Sequence, residues 1–173
     1  MDAPLLHIAL YRPLIPQNTG TIGRLALALG ARLHLVHPLG FRTDEKACRR
    51  AGLDYWREVD CQEHPDHAAL LAALPDPTRV VAFSARAERL YTEVDYRPGD
   101  CLLFGDEERG LPQALLDLAP ERAVRIPVRN PRVRSLNLAN AASIAVYEAL
   151  RQLGFPGAAP PRPRHQGEAS CAR

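Results

Sequence analysis

The sequence predicts an α/β fold, a mostly parallel sheet with helices on both faces. Three observations predict it. Short apolar runs alternate with segments whose apolar residues recur at helical spacing. Gly, Pro and Asn punctuate the junctions between them. With 173 residues, 46% of them hydrophobic and 24% charged, the chain is long enough for one domain with a real core.

The elements follow in order. Leu5 to Tyr11 is a short apolar strand, after which Pro13 and Pro16 break the chain. Ile22, Leu25, Ala26 and Leu29 repeat at helical spacing up to a Gly30 stop. Arg32 to Val36 is the next strand, closed by Pro38 and Gly40. Thr43 to Ala51 reads as a polar, basic helix capped by Thr43 or Asp44, and Asp66 to Leu74 as a short helix closed by Pro75. Arg79 to Ala85 and Cys101 to Gly105 are buried strands. Pro112 to Leu118 is a short helix with Pro in its first turn. Ala123 to Val128 is the last strand, and Ser135 to Leu153 the longest helix. The segment Pro156 to Arg173 is rich in Pro and Gly with almost nothing to bury. It reads as a disordered tail behind a domain spanning 1–155.

Composition excludes several classes. No apolar run approaches membrane-spanning length, and no basic segment precedes the first apolar residues, so neither a membrane span nor a signal peptide is expected. Four cysteines without a CxxC pair point to a reducing, cytoplasmic compartment. The net charge of +2 resides in the tail, so any nucleic-acid site must be a local basic patch. Two such patches stand out: Arg42, Lys46, Arg49 and Arg50, and then Arg129, Arg132 and Arg134. Cys61, His64 and His67 are spaced as metal ligands could be, but no fourth ligand is apparent; they read as surface residues at a helix start, and no metal is expected. Dinucleotide, P-loop and nucleophile-elbow fingerprints are absent.

Three polar turns pressed against apolar elements carry the chemistry. The first holds Asn18, Ile22 and Arg24 at a helix entry, where unpaired N–H groups favour anions. On spacing alone, Asn18 reads as a cap of the helix and Arg24 as a solvated charge. The second, Phe104-Gly105-Asp106-Glu107-Glu108-Arg109-Gly110-Leu111, follows a buried strand, and its glycines permit positive φ and close approach of a ligand to the main chain. The third runs from Ile126-Pro127 to Ser135-Leu136-Asn137-Leu138-Ala139-Asn140, with Ser135 a plausible helix cap.

In this order the three turns resemble the signature motifs of the SpoU-type RNA 2'-O-ribose methyltransferases of the SPOUT superfamily. The patterns are N-x-x-x-I-x-R, FGxExxG, and an IP dipeptide followed by S-[LM]-N-[LV]-S-N, with Ala139 standing where the family usually has Ser. Arg49-Arg50-Ala51-Gly52-Leu53-Asp54-Tyr55 is similar to a stretch of the branch that methylates the wobble ribose of tRNA. The resemblance implies S-adenosylmethionine as cofactor, tRNA as substrate, a homodimer, and a C-terminal trefoil knot that general rules of chain topology would not propose. It implies cofactor contacts at Phe83, Gly105, Ile126 and Ser135. Asn18, Arg24, Glu107 and Asn137 are implied at the place of methyl transfer, with Lys46, Arg49, Arg50, Arg132 and Arg134 toward RNA. The last helix, with Ala141, Ala142, Ala145 and Ala149, offers a small-residue surface for either a dimer contact or intrachain packing.

Overall fold

The computed structural model describes residues 3–43, 54–117 and 119–160. Lys46, Arg49 and Arg50, nearly all of the helix expected over Thr43 to Ala51, and residues 161–173 of the tail lie outside the described residues.

Strand β1 (His7–Tyr11) leads into helix α1 (Pro16–Leu29), and β2 (Arg32–Val36) follows. Next come β3 (Cys61–His64), α2 (His67–Ala73), β4 (Val80–Phe83) and β5 (Cys101–Phe104). The chain then forms α3 (Gln113–Leu116), β6 (Ala123–Val124) and α4 (Leu138–Gln152). Among the described residues the strands make one sheet in the order β3-β2-β1-β5-β4-β6, and every pairing is parallel. The order reverses between β1 and β5. In open parallel sheets ligands collect at such a switch, beyond the carboxyl ends of the strands.

Side chains alternate between the two faces of each strand, so each face has its own core. Ile8, Leu10, Leu33, Leu35, Val81, Leu102 and Phe104 pack with Ile22 and Ala26 of α1 and with Ala142, Ala145, Val146 and Ala149 of α4. Ala9, Tyr11, Val36, Ala82 and Leu103 pack with Leu70 of α2 and Leu116 of α3. A Leu or Ile buried this way contributes roughly 1.5–3 kcal/mol.

Several expectations need correction. Ala142, Ala145 and Ala149 are fully buried within the chain, so they seat α4 on its own core and leave no small-residue surface. The exposed apolar residues of α4 are Ile144 and Tyr147. Residues 61–64 form an edge strand with His64 buried at its end, so Cys61 and His64 precede the helix and only His67 opens it. Strand β6 stops at Val124, well short of the expected Val128, and Arg125 exchanges backbone hydrogen bonds with Arg89 and Tyr91. Helix α4 is capped not by Ser135 but by Asn137, whose Oδ1 accepts from the N–H groups of Ala139 and Asn140.

One packing detail seats Tyr55 and Trp56 on α1. Tyr55 Oη donates to the Gly20 carbonyl at 2.9 Å, and Trp56 lies on α1 so closely that a Cβ at Gly23 would sit 2.6 Å from its ring. The Arg24 guanidinium stands 5.8 Å from the centre of the Tyr55 ring.

Candidate active site

A cavity of about 530 Å³ opens at the carboxyl ends of β4 and β5. Phe83 and Phe104, the last residues of those strands, stack at 4.7 Å between ring centres and form part of its floor. Gly105 to Gly110, Ser84 to Arg86, Ile126, Val128 and Arg134 to Leu138 complete most of the wall. An apolar floor with polar turns around it is the usual build of a small-molecule site. Its size and its mixture of aromatic, aliphatic and backbone surface fit a nucleoside-like cofactor such as S-adenosylmethionine.

Three polar side chains on that wall are joined in series. Glu107 Oε2 accepts from the backbone N–H of Leu14 at 2.8 Å. Its Oε1 accepts from the N–H of Ile15 at 3.2 Å and from Asn18 Nδ2 at 2.9 Å. Asn18 Oδ1 accepts from Asn137 Nδ2 at 2.9 Å. These links span 89 to 119 residues of sequence and tie the loops after β1 and β5 to the start of α4. Asn18 is buried inside α1 and does not cap it; the cap position is Ile15.

The structure therefore brings Asn18, Glu107 and Asn137 together with Phe83, Gly105, Ile126, Ser135 and Arg134 around one cavity. Arg24 is not on its wall; it is exposed on α1. Arg132 is exposed on the loop ahead of Ser135, where its N–H donates to Asn130 Oδ1. Gly105, on the cavity wall, also has a part its sequence did not suggest. A Cβ there would meet the Gly110 carbonyl carbon at 2.0 Å and Leu111 N at 2.2 Å, so the loop's packing on itself requires the glycine. Positive φ belongs to Gly110, at +71°.

Two wall residues escaped the sequence reading. Arg86 donates to the Leu111 carbonyl at 2.6 Å and so ties the turn after β4 to the loop after β5. Asp106 accepts from the N–H groups of Glu108 and Arg109 and shapes that loop. Asp106 had a signal, an acidic residue between a glycine and a charged turn; Arg86 had none beyond its place after a strand.

Away from the cavity, His7, His34 and His64 form a buried row across β1, β2 and β3, with ring nitrogens 2.8 Å apart at both contacts. Burial holds all three below the usual imidazole range, and His34, flanked by the other two, is pushed down to about 3. Among the described residues no group of three or more His, Cys, Asp or Glu is arranged to hold a metal ion. Nor is any described helix long and apolar enough to cross a membrane.

A parallel sheet with a polar-rimmed cavity at the carboxyl ends of its strands, next to its switch point, is the build of a ligand-binding α/β protein. Residues 5–147 match the SpoU rRNA Methylase family, and the chain belongs to that family. It is 48% identical over 155 residues to the tRNA (cytidine(34)-2'-O)-methyltransferase of Escherichia coli (strain K12), covering 89% of this chain and 98% of the relative. The enzyme of the same name from Burkholderia pseudomallei (strain 1106a) is 47% identical over 157 residues, covering 90% and 100%. A solved structure concerned with the 2-OH methylation of C/U34 on tRNA superposes with a TM-score of 0.79 at 52% identity, covering 86% of this chain and 96% of that one. The SpoU methyltransferase AviRb from Streptomyces viridochromogenes, in complex with AdoMet, gives a TM-score of 0.68 at 28% identity, covering 88% of this chain and 59% of that one.

Proposed function

We propose that this chain is an S-adenosylmethionine-dependent methyltransferase that methylates the 2'-hydroxyl of the wobble ribose, nucleotide 34, of tRNA. The observation that carries the reading is convergence. Three motifs far apart in sequence meet at one cavity, in a chain that shares nearly half its residues with the whole length of relatives bearing that activity in their names.

Phe83, Gly105, Ile126 and Ser135 would hold the cofactor, the aromatic and aliphatic groups against its base and the turns against its polar edges. Bound S-adenosylmethionine supplies a methyl group already activated as a sulfonium. The protein must then align the ribose and manage the charge that appears as the hydroxyl loses its proton. Arg24 is assigned that second task, because a guanidinium keeps its positive charge and meets a developing alkoxide as an electrostatic partner. Arg24 lies off the cavity wall, and a homodimer that brings α1 of one subunit toward the cavity of the other would place it there. The exposed Ile144 and Tyr147 on α4 are apolar surface that such a contact would cover. Arg132 and Arg134, with Lys46, Arg49 and Arg50, are assigned to the RNA backbone. The C-terminal knot and a cytoplasmic location belong to the same reading.

Purified protein incubated with unmodified tRNA and S-adenosylmethionine should place one 2'-O-methyl group at nucleotide 34, read by mass spectrometry of nuclease fragments. Methylation confined to another nucleotide or to ribosomal RNA would move the chain to a different branch of the family. No transfer to either RNA would leave an RNA-binding protein on the same fold.

A further inference from the structure

Glu107 stands where a proton acceptor for the ribose hydroxyl would be sought, as a carboxylate on the cavity wall. Its oxygens are already engaged. A carboxylate offers about four acceptor positions. Leu14 N–H, Ile15 N–H and Asn18 Nδ2 fill three of them, and Oε1 carries two donors.

The donors explain why the carboxylate is there. Helix α1 begins at Pro16, and its cap residue is Ile15, whose side chain cannot accept a hydrogen bond. In a capping box a Glu three residues into the helix bonds the N–H of the cap residue. Here Glu107 bonds the cap N–H of Ile15 from 92 residues away. Negative charge at a helix N-terminus is favourable in itself. The loop being held is also one that needs holding. It starts at Arg12, a non-glycine residue at φ 54°, in the left-handed region.

From Glu107 the bonding runs on in one direction. Asn18 gives its Nδ2 to Glu107, so its Oδ1 faces Asn137. Asn137 gives its Nδ2 to Asn18, so its Oδ1 faces the N-terminus of α4. Every amide orientation is set by the neighbour before it, which makes the series a unit. Resting on the methyltransferase reading above, we propose that Glu107 is a positioning residue and not the proton acceptor. It fastens the N-terminus of α1 to the cavity rim, and Asn18 and Asn137 carry that fastening to the N-terminus of α4.

The test compares wild type, Glu107→Gln and Asn137→Asp. Glutamine keeps the size but turns one acceptor into a donor facing the loop. Aspartate at 137 still caps α4 but has no N–H for Asn18, so the series breaks with Glu107 intact. Amide hydrogen exchange at Leu14 and Ile15, measured by NMR without cofactor or RNA, should quicken at least tenfold in Glu107→Gln. It should quicken to a smaller extent in Asn137→Asp. S-adenosylmethionine should bind more weakly to both variants in calorimetry. Single-turnover methylation should be slower, with a pH profile parallel to that of wild type. Unchanged exchange at Leu14 and Ile15 in both variants would overturn the proposal. So would a Glu107→Gln protein with wild-type cofactor affinity whose rate no longer falls at acid pH, since that is the behaviour of a lost base. Should Glu107→Gln fail to fold, Asn137→Asp decides, because a catalytic Glu107 predicts wild-type exchange in that variant. A wild-type protein that methylates no tRNA would refute the functional reading and leave the exchange result to stand by itself.

Discussion

Two polar networks in this molecule look alike on paper and do different work. The Glu107–Asn18–Asn137 series joins loops at the carboxyl ends of the strands. The His7–His34–His64 row joins strands β1 to β3. In the first, a charged acceptor meets neutral donors. Charge-assisted bonds of that kind are worth about 1.5–3 kcal/mol, against about 1 for a neutral pair. The segments it fastens are loops and helix starts that lie outside the strand ladders. The histidine row crosses strands whose register the backbone ladder already fixes. Two bonds among three neutral rings leave His7 Nε2 buried without a partner, whichever tautomers are chosen. An orphaned buried nitrogen costs about 1–3 kcal/mol. The comparison teaches that buried polarity alone does not mark a site. The network beside the cavity joins loops that the strand ladders do not reach.

The largest effect is expected from a residue outside both networks and off the cavity wall. Arg24→Ala should slow single-turnover methylation by roughly a hundredfold, the size typical of losing one preorganised donor to transition-state charge. S-adenosylmethionine affinity should stay within a few fold. Arg24→Lys should recover little, because a point charge does not reproduce the planar fork. Normal rates in both variants would make Arg24 a surface charge beside Tyr55.

Next in size is Gly105→Val. Its side chain would collide with Gly110 and Leu111, in the loop that carries Glu107. Overpacking of this kind costs about 1–3 kcal/mol, so cofactor affinity should drop by about ten- to a hundredfold, with the circular dichroism spectrum kept. Wild-type affinity in calorimetry would separate the loop from the cofactor.

The histidine row should act on stability and not on transfer. All three pKa values are depressed in the fold, so the rings are neutral there and pick up protons on unfolding. The stabilisation is complete above the unfolded value near pH 6.5 and is lost as pH falls toward the folded ones, about 3 for His34. His34 takes about 1.4 kcal/mol per pH unit from the folding free energy between the two values, and His7 and His64 act in the same direction. Urea midpoints should therefore fall between pH 6.5 and 4.5, and His7→Gln should flatten the slope while tRNA methylation at pH 7.5 is unaffected. A flat wild-type profile, or a loss of methylation in His7→Gln, would erase the contrast between the two networks.

The smallest effect belongs to the end of the chain. Removing residues 156–173 should shift Tm by no more than about 2 °C, as the Pro- and Gly-rich sequence of that segment predicts. A marked drop in a thermal melt would show that the tail packs.

Much of the fold was legible because its signals were local. Strands β1, β2 and β5 are apolar runs between breakers, and α1 ends at Gly30, which adopts the left-handed cap its sequence announced. Strand β3 was not legible. Cys-Gln-Glu-His has no apolar alternation, and it is a strand because β2 offers an unpaired edge beside it. The histidine row was equally hidden, since each ring sits singly in its own strand. Ser135 and Asn137 are both capping residues two positions apart, and only the bonds from the Ala139 and Asn140 N–H groups to Asn137 Oδ1 show which one is used. Motif resemblance pointed to Asn18, Glu107, Asn137, Phe83, Gly105, Ile126 and Ser135, which the fold gathers at one cavity, and also to Arg24, which lies off it. It did not reveal that Gly105 answers to Gly110, or that Glu107 answers to the backbone of Leu14 and Ile15.

The most direct test of the functional account is nucleoside mass spectrometry of tRNA from a strain lacking the gene, alone and complemented with wild type or Arg24→Ala. The account predicts loss of the 2'-O-methyl group at nucleotide 34, its return with wild type, and little or no return with Arg24→Ala. A strain whose nucleotide 34 stays fully methylated in every tRNA that carries the modification would contradict it.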